Sequence, residues 1–109
     1  MAELLIIADD FTGALDTGIQ FVKSGVSARV YIEDGGETMK QEQGADVLIV
    51  NSDTRHAPQT VAYRKVRGIV RSGLEAGVRC IYKKTDSALR GNIGSELQAV
   101  LDETEEFQD

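Results

Sequence analysis

Apolar residues along this chain follow two rhythms. Short continuous runs, LLIIA at 4–8, VLIV within 46–53 and VRCIY at the start of 78–84, stand between longer stretches in which apolar residues return every three or four positions. A short apolar run bounded by polar residues is the pattern of a strand buried on both faces, and the 3.6-residue return is that of an amphipathic helix. ARVYIE at 28–33 alternates instead, as a strand does. The helical stretches place Leu15, Ile19 and Val22 together within 12–23, with Gly25 as the stop. A long helix with Pro58 in its first turn gathers Ala62, Val66, Ile69, Val70 and Leu74 on one face. Ile93, Leu97, Val100 and Leu101 mark a third helical face, which fades into acidic DETEEFQD. The polar DGGETMKQEQGA reads as a loop with a helical turn. This alternation predicts the α/β class: a three-layer sandwich around a mainly parallel sheet of about four strands, near 4–8, 28–33, 47–51 and 79–83.

In a parallel sheet ligands bind outside the carboxyl ends of the strands, and the polar residues of this chain gather where its strands end. The first strand runs into Asp9-Asp10-Phe11-Thr12-Gly13, the third into Asn51-Ser52-Asp53-Thr54-Arg55, and the fourth into Lys83-Lys84-Thr85-Asp86-Ser87 with Arg90-Gly91 beyond. Three segments therefore meet along one rim. Arg55, Lys84 and Arg90 are cations for an anion, arginine by paired hydrogen bonds and lysine as a point charge. Gly91-Asn92 opens a helix whose free amides also attract an anion. The carboxylates of Asp9, Asp10 and Asp86 accept hydrogen bonds from hydroxyls or take up a proton. Cations for an acid and carboxylates for hydroxyls together point to a small anionic polyhydroxy acid.

Composition narrows the partners. The chain has 109 residues and a net charge of −6, and its pI is near 4.7. That is the wrong sign for a nucleic-acid or anionic-membrane binder. The five-residue apolar run after Met1 is too short for a signal peptide or membrane span. One cysteine, Cys80, excludes an intrachain disulfide and a multi-cysteine metal site. It suits a reducing cytoplasm.

Plainer roles compete at several positions. Asp10 or Thr12 can cap the first helix, and of the adjacent aspartates, which point apart, one faces a ligand. Of Lys83 and Lys84 one is solvated, and alternation does not say which. Asp53 can close a turn. His56 reads as a surface or capping residue, Cys80 as an inert core residue, and Arg64, Lys65, Arg67 and Arg71 as a solvated helix face. No P-loop, G-x-G-x-x-G or G-x-S-x-G is present. The Asp9-Asp10 pair also fits a phospho-acceptor receiver module, with Asp53 as acceptor and Lys84 as its partner. That reading leaves Asp86, Ser87 and Arg90 without a role, and a receiver has a fifth strand.

ADDFTGALDTG at 8–18, NSDTRH at 51–56 and KKTDSALRGNIGSEL at 83–97 together resemble the amino-terminal region of the four-carbon acid sugar kinases. The blocks stand in that family's order and cover essentially the whole chain. The resemblance implies an ATP-dependent kinase acting on threonate, erythronate or 3-oxo-tetronate. Residues 1–109 would be the amino-terminal part of its sugar-acid-binding domain, an incomplete domain, inactive alone and open to self-association through uncovered apolar surface. ATP and Mg2+ would be held mainly by a nucleotide-binding domain absent here, with no metal site in this part. The resemblance implies substrate contacts at Asp9 or Asp10, Arg55, Lys84, Asp86, Ser87 and Arg90. The candidates for the catalytic base are Asp9, Asp10 and Asp86.

Overall fold

The computed structural model describes residues 2–31, 44–84 and 91–108. Its elements are β1 (Leu4–Ala8), α1 (Phe11–Lys23), β2 (Ala28–Tyr31), β3 (Val47–Asn51), α2 (Gln59–Glu75), β4 (Cys80–Lys84) and α3 (Ile93–Gln108). The four strands form one sheet in the order β2-β3-β1-β4. Every pairing is parallel, with Leu4 beside Val47 and Cys80, and Ala8 beside Asn51 and Lys84. The expected α/β sandwich is therefore present, and the strand ends lie level. The order separates it from a flavodoxin-like receiver, in which β1 lies between β2 and β3; here β1 lies between β3 and β4. Most of the polar stretch 34–45 lies outside the described residues.

Alternation along the central strands sorts side chains between two cores. Leu5, Ile7, Leu48 and Val50 point to one face, where Val66, Ile69 and Val70 of α2 and Ala99 of α3 cover them. Ile6, Ala8, Val47 and Ile49 point to the other, beneath Ala14 and Phe21 of α1. Burying each large apolar side chain contributes roughly 1.5–3 kcal/mol. Two glycines let helices lie close: a Cβ on Gly18 would come within 2.9 Å of Val30 Cγ2, and one on Gly73 within 2.6 Å of Leu5 Cδ2.

The expected face of α2 is the buried one, with Gly73 buried beside it and Leu74 packed against the core. The other two helices are rotated from expectation. On α1 the sheet side carries small Ala14 and Gly18, while Phe11, Leu15, Ile19 and Val22 are exposed. Close approach to the sheet demands small residues, so the large ones lie outward. On α3 Leu97 and Leu101 are exposed, and Glu96, Ala99 and Glu103 are buried. The reason lies in α2, whose Arg67 and Arg71 are not a simply solvated face. Arg67 Nε approaches Glu103 Oε1 at 3.0 Å and Arg71 Nη1 approaches Oε2 at 2.9 Å. The Tyr63 hydroxyl donates to Asp102, and Arg67 lies over the Tyr63 ring. The α2–α3 seam is thus a charge zipper laid over an apolar floor. Cys80 is likewise corrected: it opens β4, an edge strand, and is exposed. Its neighbour on the same face, Tyr82, is exposed too, while α1 lies mainly against β1, β2 and β3. No helix among the described residues is long and apolar enough to cross a membrane.

Candidate functional site

Backbone hydrogen bonds stitch the chain after β3 onto the chain after β1. Ser52 N donates to Ala8 O at 2.9 Å, Thr54 N to Asp9 O at 3.1 Å and Arg55 N to the same oxygen at 3.2 Å. The intervening Asp53 has φ 55, a left-handed conformation that Asp and Asn tolerate better than most residues. Its N–H donates to Asn51 Oδ1 at 2.9 Å. This turn throws Arg55 back across the end of β1. There its guanidinium bridges the two aspartates, Nη2 to Asp9 Oδ1 and Nη1 to Asp10 Oδ2, both at 3.1 Å. The other Asp10 oxygen accepts from Gly13 N at 3.0 Å and caps α1. Asp10 therefore both caps and faces the rim. A cleft of about 360 Å³ opens here, lined by Asp9, Asp10, Asp53, Arg55, His56 and Ala57.

The three charged side chains differ in access. Asp9 is 5 % exposed, Arg55 15 % and Asp10 30 %. Asp9 is sealed from above by Gly91, at φ +97, where a Cβ would sit 2.7 Å from Asp9 Oδ2. The register separates the two lysines. Lys84 pairs with Ala8 on the α1 face, and its Cε lies 3.7 Å from where a Gly13 Cβ would be, over the first turn of α1. Lys83 faces the other way, with Nζ 3.0 Å from Glu96 Oε1 and both side chains buried. Its approach lies outside hydrogen-bond geometry, since Glu96 Oε1 has no hydrogen-bond partner. Lys83 is thus an internal partner and Lys84 a rim residue; neither is simply solvated.

Beneath the cleft runs a polar cluster whose members carried no assigned role in the sequence. Thr54 Oγ1 donates to Glu96 Oε2 at 2.7 Å, and Ser52 Oγ lies 2.7 Å from Thr54 Oγ1. Asn92 Nδ2 donates to Thr54 O at 3.0 Å and to Ala57 O at 2.7 Å. The available signal was charge complementarity: acids at 96 and 103 of α3 match the bases Lys83, Arg67 and Arg71.

Of the residues predicted for the site, the structure brings together Asp9, Asp10 and Arg55, with Lys84 at the end of the adjoining strand. Asp86, Ser87 and Arg90 lie outside the described residues. His56 is exposed, as expected of a surface residue, although it borders the cleft. Asp53 both closes the turn and lines the cleft. Among the described residues no group of three or more His, Cys, Asp or Glu side chains is placed to hold a metal ion. Among the described residues, Arg55 fills the place between Asp9 and Asp10 that a cation would take.

Known proteins are similar to this chain in sequence and in fold. A family described as "sugar-binding N-terminal domain" matches residues 4–108. D-threonate kinase of Salmonella typhimurium is 37% identical over 91% of this chain, D-erythronate kinase of Heliobacterium modesticaldum 33% over 94%, and 3-oxo-tetronate kinase of Escherichia coli 33% over 94%. The chain spans only 23–27% of the length of these relatives. Among solved structures, a domain of unknown function from Bordetella bronchiseptica, a domain-swapped dimer with bound citrate, superimposes with a TM-score of 0.83 at 35% identity. That match covers 89% of this chain and 25% of the other.

Proposed function

Because the chain belongs to the family of sugar-binding N-terminal domains, we propose that it is the acid-sugar-binding part of an ATP-dependent kinase for four-carbon acid sugars. The observation that carries this reading is the meeting, at one cleft, of the polar segments that follow β1 and β3, with Lys84 beside them. The named relatives act as D-threonate, D-erythronate and 3-oxo-tetronate kinases. A solved relative holds citrate, itself a small hydroxy acid. We assign the acid's carboxylate to Lys84 at the first turn of α1, where lysine charge and helix amides act together, and to Arg90. Asp10, the more exposed aspartate, accepts a substrate hydroxyl, with Asp86 and Ser87 supplying further hydroxyl contacts. Arg55 orients both aspartates as well as adding charge. Of the two base candidates that the structure describes, Asp10 fits better than Asp9, which is buried under Gly91 and Arg55, and Asp86 stays a candidate from the resemblance.

In phosphoryl transfer the protein contributes mainly positioning and charge stabilisation. The chain's share would be the first: to orient one hydroxyl of the acid. Nucleotide and magnesium belong to other parts of such a kinase, in the cytoplasm. Titration of 15N-labelled protein with D-threonate and D-erythronate tests the reading. Shifts at the amides of Asp10, Gly13, Arg55 and Lys84 are expected, with smaller effects from succinate, which has no hydroxyl. Absence of any saturable shift with either acid sugar would refute it.

A further inference from the structure

Arg55 is held by its aspartates at the guanidinium end, but the direction of its approach is decided one residue earlier. Thr54 is fully buried. Its carbonyl takes the Asn92 amide and its hydroxyl takes Glu96 Oε2. Asn92 and Glu96 stand one helical turn apart at the start of α3, and Glu96 N donates to Asn92 O at 2.9 Å. Both therefore grip the same residue from the same helix. Such a grip also steadies the turn, in which Asp53 holds a left-handed conformation that is uncommon for a residue other than glycine. Glu96 itself is 1 % exposed, and a carboxylate so buried is costly without a partner. Lys83 supplies the counter-charge. A well-packed apolar pair in place of such an ion pair is often neutral or stabilising, so packing alone gives no reason for these charges to lie under the loop that carries Arg55.

We propose that Glu96, supported by Lys83 and acting through Thr54, is the positioning residue that sets Arg55 over Asp9 and Asp10 for binding of the acid. This rests on the reading of the cleft as the acid site. The substitutions are Thr54→Val, which removes the hydroxyl at nearly constant shape, Thr54→Ser, which restores it, and Glu96→Gln. Two readouts are taken on each folded variant: affinity for D-threonate, and the 1H–15N signals of the Arg55 guanidinium, which report its ion pairs without any ligand. Loss of a well-placed hydrogen bond to a charged group weakens binding by about tenfold or more, so a loss of at least about tenfold is expected for Thr54→Val, with a shifted guanidinium signal. Thr54→Ser should recover both, and Glu96→Gln should shift the signal in the same sense. If Thr54→Val does not fold, Glu96→Gln decides on the same two readouts. Variants that fold, bind as wild type and leave the Arg55 signals unmoved overturn the proposal. Wild-type protein that binds no threonate overturns the functional reading instead, and the guanidinium signals still decide the positioning role.

Discussion

Gly91→Ala tests whether the cleft's geometry depends on close backbone approach. Gly91 has φ +97, and a Cβ there would meet Asp9 Oδ2 at 2.7 Å, Arg55 Cα at 3.4 Å and Arg55 O at 3.5 Å. Two costs add. An L-residue on the left-handed side of the map loses about 1–2 kcal/mol, and overpacking a site that cannot yield costs about 1–3 kcal/mol. The site cannot yield easily, because the other Asp9 oxygen is held by Arg55 at 3.1 Å and two of the crowding atoms are backbone. A loss of roughly 2–5 kcal/mol follows, a large share of the 5–15 kcal/mol typical of whole domains. Two other glycines separate the components. Gly25 has φ +83 with nothing within 4 Å of a Cβ, so Gly25→Ala carries the backbone cost alone. Gly68 lies inside α2 with open space around it, and Gly68→Ala should stabilise by about 0.5–1 kcal/mol. Urea unfolding of the three variants measures this. At a slope of about 1–2 kcal/mol/M, Gly91→Ala should lower the midpoint by roughly 1 M or more at unchanged slope. If Gly91→Ala loses no more than Gly25→Ala, the contact with Asp9 carries no cost and Asp9 is neither sealed nor pinned.

Two further outcomes follow from the helices. The Tyr63 hydroxyl, and after it the Gln98 side chain, hold the Asp102 carboxyl below its ordinary range. That support is full above the unfolded carboxyl's pKa and fades as pH falls through the lowered folded value. The same bond, first among its causes, raises the Tyr63 hydroxyl, so its contribution is full below the ordinary tyrosine range and lost as pH rises through the raised value. In Tyr63→Phe the Asp102 titration followed by NMR should move upward, and an unmoved titration refutes the assignment. On α1, Leu15, Ile19 and Val22 are 42%, 44% and 62% exposed, and Tyr82 of the edge strand is 59% exposed. The protein should therefore self-associate with rising concentration in sedimentation, and Leu15→Lys with Ile19→Lys should abolish it. A monomeric wild type at every concentration counts against this surface.

How much of this was legible in the residues depends on which forces set each element. β1 and β3 were plain because both their faces are buried, and a short unbroken apolar run between polar residues is what such burial demands. The α2 face was equally plain, since it packs large aliphatic residues on the central strands. On α1 the period was right and the face wrong. Hydrophobicity marks Leu15 and Ile19, but proximity to Val30 and Ile49 selects Gly18, and a glycine carries no hydrophobic signal. On α3 burial followed charge pairing across helices, which a one-dimensional apolar pattern does not encode. Asp9, Asp10 and Arg55 were legible because polar residues at strand ends have a topological reason to meet. Their mutual ion pairs were not, because Asp9 and Arg55 are 46 residues apart and only the sheet register closes that distance.

Charge at the cleft is divided between two places. Arg55 is shared by two carboxylates, so the trio has a net charge near −1, and a bare anion approaching it from Asp10 would be repelled. Lys84 stands apart from the trio, over Gly13 and the α1 terminus. A ligand with a carboxylate at one end and hydroxyls along its length matches that split, with the acid toward Lys84 and the hydroxyls toward Asp10. A simple phosphate or carboxylate matches only half of it. Discrimination would then come from the hydroxyl end, because a site that hydrogen-bonds a hydroxyl disfavours an analogue lacking it. This is why the hydroxyl-free acid is the informative control. Succinate retains everything Lys84 can recognise and lacks everything Asp10 can, so equal binding of succinate and threonate would place recognition on charge alone and remove Asp10 from the site.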